Sequence, residues 1–279
     1  MNASKTRKMQ PDVSIMGVIN LSPDSFYPAS RSLSLGKALE TAERWIDEGA
    51  DILDVGAEST RPGSHPIPEE LELERLVPIV SELCRKFNAP VSVDTYKPAV
   101  AEKVLSEGAT IINDITGLQG HPGMAGIIAR HGAGVILMHM RGTPPTMQDH
   151  PRYEDLIGEV VQYLGKSVDL GKRAGIAPER MVIDPGIGFG KTPSQNLQLV
   201  RRLDELKVLN QPILIGVSRK SFIGQLLDLP VEERLEASLA AAVIAVWQGA
   251  KYIRTHDVRA TFRAVKMACA IRNHQGKTA

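Results

Sequence analysis

The chain has 279 residues, close to the roughly 250 residues of a single α/β barrel, so its length is compatible with one large domain. A formal charge of +1 gives no large field of either sign, so nucleic-acid binding is not suggested, and no signal-peptide core or 18-residue apolar run occurs. We therefore expect a soluble cytoplasmic protein. Its two cysteines, Cys84 and Cys269, lie in helix-like segments without paired spacing, so neither a disulfide framework nor a zinc site is predicted.

Short apolar runs of strand length recur along the chain at intervals of about 20 to 50 residues. The eight runs are DVSIMGVIN, ADILDVGAE, APVSVDT, TIINDI, GAGVILMHM, MVIDPGIG, QPILIGVS and KYIRTH. They are almost continuously apolar, which is typical of parallel strands covered by helices on both faces, and the segments between them have helical spacing. Gly49, Gly108 and Gly249 precede three of the runs and suit a helix C′ position.

This order predicts an α/β fold, a single-domain (β/α)8 TIM barrel over residues 12–275, preceded by a flexible tail at residues 1–11. A doubly wound open sheet remains an alternative, because a local pattern does not show whether the sheet closes. The acidic stretch EELELE at residues 69–74 is interpreted as the solvated start of a helix.

Polar residues follow or end the apolar part of every predicted strand. They are Asn20, Asp54, Glu58, Asp94, Thr95, Asn113, Asp114, His139, Asp184, Ser218, Arg219, Lys220, Arg254, Thr255 and His256. Any one of these could be a satisfied core group or a helix N-cap; Asp94, Asn113 and Ser218 are examples. The carboxyl ends of barrel strands converge on one face, so together they predict a shared site there.

Two loops at this face suggest phosphate binding. Ser59–Gly63 (STRPG) follows the second strand and Asp184–Lys191 (DPGIGFGK) follows the sixth, and their glycines allow close backbone approach to a ligand. The second loop lacks the Walker A spacing, so it is not interpreted as a nucleotide-binding loop. Arg254, His256 and Lys220 are candidate anion binders.

Eight segments of the chain resemble, in order and spacing, the signature segments of dihydropteroate synthases. They are MGVINLSPDSF, DVGAESTRPG, VSVDT, INDITG, MHMRGTPPTMQ, DPGIGFGK, GVSRKSFIG and IRTHDV, and the match spans residues 13 to 265. The resemblance implies a homodimeric (β/α)8 transferase of folate biosynthesis that uses Mg2+ and is a sulfonamide target. It would join 6-hydroxymethyl-7,8-dihydropterin pyrophosphate to p-aminobenzoate and release 7,8-dihydropteroate and pyrophosphate.

The resemblance also implies roles for individual positions. The pterin would be bound by Asp94, Asn113, Met138, Asp184 and Lys220. The pyrophosphate would be bound by Asn20, Thr60, Arg61, Arg254 and His256, with Asn20 also holding the metal ion. The p-aminobenzoate would contact Phe26, Thr60, Pro62, Phe189, Ser218 and Arg219. The implied catalytic set is Asn20, Asp94, Lys220, Arg254 and His256.

One segment departs from the family pattern, and two other functions stay open. Many relatives continue S-F-S-D-G-G after the first strand, whereas this chain has Tyr27-Pro28-Ala29-Ser30-Arg31 after Ser25-Phe26. Closure of the first loop, turnover and the response to sulfonamides are therefore left open.

The two alternative functions are a corrinoid-linked, pterin-dependent methyltransferase and an inactive pterin-binding paralogue. The inactive paralogue is expected to have lost Asn20, Lys220, Arg254 or His256.

Overall fold

The computed structural model describes residues 12–21, 28–59 and 64–274, with backbone only for residues 28–34. The strands are β1 (Ser14–Asn20), β2 (Ile52–Gly56), β3 (Val91–Asp94), β4 (Ile111–Asp114), β5 (Gly134–Met138), β6 (Met181–Asp184), β7 (Leu214–Gly216) and β8 (Tyr252–Thr255). The helices are α1 (Pro28–Glu48), α2 (Glu69–Lys86), α3 (Pro98–Ser106), α4 (Met124–Arg130), α5 (Leu156–Ala174), α6 (Pro193–Arg201), α7 (Ser221–Leu227), α8 (Leu235–Trp247) and α9 (Val258–Arg272). Short 3-10 helices span Pro178–Arg180, Leu203–Leu209 and Val231–Glu233.

The strands form one parallel sheet that closes on itself. Their order is β6-β5-β4-β3-β2-β1-β8-β7, and a parallel bridge between Ile183 and Ile213 joins the two ends. The predicted (β/α)8 barrel is therefore confirmed, and the open doubly wound sheet is excluded. All eight predicted runs contain a strand, although most strands are shorter than their runs because polar, glycine and proline residues at the run ends form the connecting loops.

The lower half of the barrel interior is apolar. Met16, Ile52, Ile136 and Leu214 pack there as a cluster separate from the main core, which lies between the strands and the surrounding helices. Inward-facing residues of barrel strands stack in layers. The apolar layer therefore supports the polar layers above it, toward the carboxyl ends of the strands.

Three helices end as the sequence predicts. Gly49, Gly108 and Gly249 have φ angles of 105°, 106° and 110°, the left-handed conformation that glycine adopts without strain. At Gly49 a Cβ atom would lie 2.6 Å from the Phe262 ring, so close packing also favours glycine at that position. These tight ends connect the helices directly to the following strands.

The acidic start of α2 is only partly as predicted. Glu70 and Glu74 are exposed, but Glu72 is 1% exposed and lies against Lys97. The prediction of a fully solvated helix face is therefore wrong at Glu72. A helix places one residue in three or four on its inner face, and here the inner position is a glutamate with the partly buried cation of Lys97 opposite it.

The two cysteines lie in α2 and α9, and both thiols are free. Burial raises the pKa of both thiols, which disfavours the reactive thiolate. Among the helices of the described residues, none has the length and apolarity that a membrane-spanning segment requires. The predicted tail at residues 1–11 and residue 275 of the predicted barrel domain lie outside the described residues.

Candidate active site

A polar pocket opens at the carboxyl ends of the strands, where the sequence predicts a shared site. Its space between protein atoms, including the part open to solvent, is about 310 Å³. Its lining includes seven residues singled out from the sequence: Asp94, Asn113, Met138, Asp184, Phe189, Lys220 and Arg254. These residues come from six strands or the loops that follow them. The closed barrel thus brings together side chains that are up to 160 positions apart, as for Asp94 and Arg254.

Two buried carboxylates and an amide form the floor of the pocket. Asp94, Asn113 and Asp184 are less than a tenth exposed, and burial raises the pKa of Asp94 to about 7 against the opposing charge of Arg254. Burial also raises the pKa of Asp184, while the Gly186 N–H, donating to Asp184 Oδ1 at 2.7 Å, lowers it. Hydrogen-bond acceptors in a low-dielectric pocket bind strongly to a ligand that carries several N–H donors.

A cation and an aromatic ring form another wall. The Lys220 ammonium lies 4.4 Å from the centroid of the Phe189 ring, and both line the pocket with Met138. A methionine side chain adapts to flat rings, and a cation can donate to ring acceptors. Acceptors on one side and a donor cation on the other suit a flat, polar heterocycle.

Arg254 lies between two carboxylates at the centre of the barrel. Its Nε donates to Asp54 Oδ2 at 2.7 Å, and its Nη2 donates to Asp94 Oδ2 at 3.1 Å. Asp54 is in the middle of β2 and fully buried, so its predicted position at the carboxyl end of the strand is wrong. It lies one layer below the pocket because the strand continues to Gly56. The guanidinium therefore neutralises buried charge as well as lining the pocket.

Asn20, His256 and Ser218 meet at the rim. Asn20 Nδ2 lies 3.4 Å from His256 Nε2, and Ser218 Oγ lies 3.2 Å from His256 Nδ1 and also accepts from the His256 N–H. The structure thus places Ser218 where it orients the His256 ring. His256 also lines a separate cavity outside the barrel with Arg44 and Trp45.

Arg219 does not join the pocket lining. Its guanidinium donates to both carboxylate oxygens of Asp257, at 2.8 and 2.9 Å, and to the carbonyls of Val231 and Glu232. Its own φ of 52° turns the chain between β7 and α7. These contacts identify Arg219 as a brace between the loops that follow β7 and β8.

Some residues of the predicted site are not among those that the structure describes. Phe26, Thr60, Arg61 and Pro62 lie outside the described residues, as does Tyr27, the first residue of the altered segment. Residues 28–31 of that segment form the start of α1, where the fixed φ of a proline suits the first helical turn.

Other predicted rim residues stabilise the loops. Asp114 accepts from the backbone of Thr116 and Leu118, and the Thr255 hydroxyl pairs with that of Thr261. His139 is buried against Lys191. The side chains of Asp114, Thr255 and His139 thus have their hydrogen-bond partners within the protein. This is the alternative to a shared site that the sequence leaves open for any single polar residue.

A buried ion cluster behind β2 and β3 is not predicted from the sequence. Lys97 Nζ contacts Glu58 Oε2 at 2.6 Å and Glu72 Oε2 at 2.5 Å, and donates to the Ile67 carbonyl at 2.7 Å. The Tyr96 hydroxyl donates to Glu58 Oε1. Glu58 and Ile67 flank residues 60–63, so the cluster joins the two ends of that segment. The opposite charges of Lys97 and of Glu58 and Glu72 are the only sequence signal, and they do not reveal the pairing.

We expect Lys97→Met to lower the free energy of unfolding by about 2 kcal/mol, because it leaves two carboxylates buried without their cation. Burial already raises the pKa of Glu72, and Lys97 opposes this shift. Chemical denaturation at pH 7 measures the effect. Lys103→Met is the matched control, since Lys103 is half exposed in its pair with Glu107 and should change stability by less than about 0.5 kcal/mol. Equal effects of the two substitutions would contradict the role of the cluster.

The described residues offer few protein ligands for a metal ion. No group of three or more His, Cys, Asp or Glu side chains suited to a metal occurs among them. The Asn20 side chain is exposed at the rim next to His256 and carries an amide oxygen. Mg2+ commonly retains waters and binds one or two protein oxygens together with substrate phosphates. The rim therefore fits a metal ion that arrives with a phosphate-bearing substrate.

Comparison with known proteins identifies the family. The model of the pterin binding enzyme family matches residues 16–256. The dihydropteroate synthase of Escherichia coli K12 is 46% identical over 253 residues, which cover 91% of this chain and 89% of that protein. The Yersinia pestis dihydropteroate synthase, solved with a sulfonamide drug complex, is 42% identical with a TM-score of 0.89, covering 94% of this chain and 95% of that one. The Clostridium difficile enzyme, solved in the presence of pteroic acid, is 38% identical with a TM-score of 0.88, covering 94% and 98%. The chain therefore belongs to the dihydropteroate synthase family of pterin binding enzymes.

Proposed function

We propose that this chain joins 6-hydroxymethyl-7,8-dihydropterin pyrophosphate to p-aminobenzoate, releasing 7,8-dihydropteroate and pyrophosphate. The observation that carries the proposal is the barrel pocket, which Asp94, Asn113, Asp184 and Lys220 line together at the carboxyl ends of the strands. Family membership and the pteroic acid present with the Clostridium difficile enzyme support the choice of ligand, since pteroate contains both a pterin and a p-aminobenzoate moiety.

Recognition of the pterin follows from its hydrogen-bonding edge. A dihydropterin presents a ring N–H beside an exocyclic amine, and the ionised Asp184 carboxylate can accept from both. Asn113 and Asp94 supply further polar contacts, and Lys220 donates to the ring acceptors. Met138 provides apolar surface beside the ring, and Phe189, which lines the same pocket, would contact p-aminobenzoate.

The reaction is a substitution at the exocyclic methylene carbon of the pterin. The bond from this carbon to the pyrophosphate oxygen breaks, and a bond to the amine nitrogen of p-aminobenzoate forms while that nitrogen loses one proton. The electron-rich pterin can share the positive charge that develops on the carbon. The ionised Asp94 carboxylate stabilises that charge, and His256 stabilises the departing pyrophosphate. The arylamine is already unprotonated at neutral pH, so a strong general base is not required.

We assign Mg2+ to the rim beside Asn20, whose amide oxygen would hold it together with waters and pyrophosphate oxygens. When bound, the ion neutralises charge that develops on the leaving group. His256, held by Ser218, lies where it would contact the same pyrophosphate. The assignments of Thr60, Arg61 and Pro62 to the substrates, and of Phe26 to p-aminobenzoate, remain predictions from the resemblance.

The direct test is synthesis of dihydropteroate by the purified protein from dihydropterin pyrophosphate, Mg2+ and p-aminobenzoate. Absence of product under conditions in which the Escherichia coli enzyme works would overturn the proposal. Transfer of a methyl group from a methylated pterin to a corrinoid would instead support the methyltransferase alternative. Pterin binding without either reaction would support an inactive paralogue, although Asn20, Lys220, Arg254 and His256 are all present.

We expect His256→Ala to weaken binding of dihydropterin pyrophosphate by roughly tenfold while changing the Kd of the bare pterin little, because the ring lies at the rim rather than in the pocket. Calorimetric titration with both ligands measures the two constants. Lys251→Met, at the amino end of β8, is the control. Equal losses for the two ligands would contradict the assignment of His256 to the pyrophosphate.

A homodimer is the assembly that the resemblance implies, and exposed apolar side chains on one side of the barrel support it. On α6 to α9 these include Leu197, Leu226, Trp247, Met267 and Ile271, each more than 40% exposed. Surfaces of this kind commonly meet a partner. Light scattering of the purified protein would measure its mass. The cytoplasmic location remains a prediction from the sequence.

A further inference from the structure

Lys191, which follows the glycine loop after β6, is the largest fully buried side chain of the described residues. Its Nζ lies 2.9 Å from His139 Nδ1 and donates to the carbonyls of Gly186 and Phe189, both at 3.0 Å. Among the described residues, no carboxylate lies within 4.0 Å of it. A buried ammonium is costly unless its donors are satisfied, so these contacts must compensate for lost hydration.

The loop around the Lys191 ammonium has backbone φ angles that favour glycine at three positions. Gly186, Gly188 and Gly190 all have positive φ, at 69°, 85° and 65°. A Cβ on Gly186 would lie 2.0 Å from the His139 carbonyl, so this part of the loop packs directly on the segment after β5. The carbonyls of Gly186 and Phe189 point inward, and the Lys191 ammonium occupies the space between them.

Each end of this loop carries a group that lines the pocket. At its start the Gly186 N–H donates to Asp184, and near its end the Phe189 ring lies beside the Lys220 ammonium. A shift of the loop would therefore displace an acceptor of the pterin and one wall of the arylamine site together.

Lys191 also acts on Asp184 through charge. The positive charge of Lys191 lowers the pKa of Asp184, against the larger opposite effect of burial, and so favours the ionised carboxylate. Burial lowers the pKa of Lys191 itself to about 7, and the negative charge of Asp184 opposes that shift. The ammonium is thus the main form of Lys191 below pH 7.

We propose that Lys191 is a positioning residue for substrate binding, whose ammonium, through the carbonyls of Gly186 and Phe189, holds the loop after β6 in the conformation that binds substrate. The inference rests on the proposed function, because it concerns the pocket in which the pterin binds. Lys191 touches no substrate in this scheme. It acts through the carbonyls of Gly186 and Phe189 and through its charge.

Other charged or titratable groups also face this region, and the test must separate their effects. Lys220 faces Asp184 across the pocket, and Arg254 acts on it from the barrel centre. On the other side of Lys191, His139 is neutral because burial lowers its pKa to about 2, and the charges of Lys191 and Arg141 add to that shift. Substitutions at Lys191 leave Lys220, Arg254 and Arg141 in place but remove one of the charges that keep His139 neutral.

The test compares Lys191→Met with Lys191→Gln. Methionine removes both the donors and the charge, whereas glutamine keeps two N–H donors without charge. The measurements are the pterin Kd between pH 5 and pH 7, the KM for p-aminobenzoate and the melting temperature. Lys172→Met, at an exposed position near the end of α5, is the matched control.

We expect Lys191→Met to raise the pterin Kd and the KM for p-aminobenzoate, each by roughly tenfold. In both Lys191 variants the acidic limb of pterin binding should move to higher pH, because Asp184 has lost a nearby cation. In Lys191→Gln the KM for p-aminobenzoate should lie between the values of the wild type and Lys191→Met, whereas the acidic limb should stay shifted. If Lys191→Met fails to fold, the acidic limb of pterin binding in Lys191→Gln tests the proposal.

A lower melting temperature with unchanged Kd, KM and acidic limb would overturn the proposal and leave Lys191 a purely structural residue. The proposed function is tested separately, by product formation in the wild type and in Lys172→Met. Absence of product there, with pterin binding intact, would overturn the synthase assignment without changing the conclusion about Lys191.

Discussion

Asp184→Asn is expected to raise the Kd of the pterin by roughly 100-fold while the protein keeps its fold. The substitution converts one carboxylate oxygen into an N–H donor, which would face a donor on the pterin edge and leave it unpaired. The asparagine oxygen can still accept from the Gly186 N–H, which now donates to Asp184 Oδ1 at 2.7 Å. Because that contact holds the start of the loop, the loss should fall on binding rather than on stability. Calorimetric titration of the bare pterin and a thermal melt measure the two effects.

Asp169→Asn, at an exposed position on α5, is the control for this substitution. It should change neither the pterin Kd nor the melting temperature. An unchanged Kd in Asp184→Asn would remove Asp184 from the pterin site. A large loss of stability would instead mean that its main role is to hold the loop after β6.

The strands and the main pocket residues could be predicted from the sequence because both follow from local patterns. An apolar run predicts a buried strand, and the residue that ends the run lies at the carboxyl end of the barrel. Asp94 and Asp184 end their strands, Asn113 is the last residue but one of its strand, and all three line the pocket. The names of the substrates came from the family resemblance, since strand pattern and polarity alone indicate only a polar site.

The ion pairs could not be predicted, because they depend on which side chains the closed barrel brings into contact. Arg254 was assigned to the pyrophosphate, yet its guanidinium contacts Asp54, a residue 200 positions away and one layer below the pocket. Likewise, the sequence does not show that Glu72 turns inward to Lys97.

Lys191 illustrates the same limit at a loop. The glycines of G-I-G-F-G-K suggest close backbone approach to a phosphate, although the Walker A spacing is missing, and they do not show where the lysine points. In the structure the lysine points into the protein and binds carbonyls of its own loop. The direction of one side chain thus distinguishes a ligand-binding residue from a positioning residue.

Arg254→Met is expected to lower the free energy of unfolding by about 3 to 5 kcal/mol and to reduce kcat/KM strongly. The substitution leaves Asp54 and Asp94 buried without the guanidinium that contacts both, at 2.7 and 3.1 Å. Chemical denaturation at pH 5 and at pH 8 measures the stability. The loss should be larger at pH 8, because Asp94 can be protonated at the lower pH and then needs no cation.

The same substitution should change the pH dependence of catalysis in a defined direction. Burial raises the pKa of Asp94 to about 7, and Arg254 lowers it, so removal of Arg254 should raise that pKa further. If ionised Asp94 stabilises the cationic pterin, the wild-type acidic limb of kcat/KM lies near pH 7, and that of Arg254→Met lies higher. The double variant Asp54→Asn, Arg254→Met should regain part of the stability, because it removes one of the two unpaired buried charges. A single variant as stable as the wild type, or an acidic limb that does not move, would show that Arg254 neither compensates these carboxylates nor controls the ionisation of Asp94.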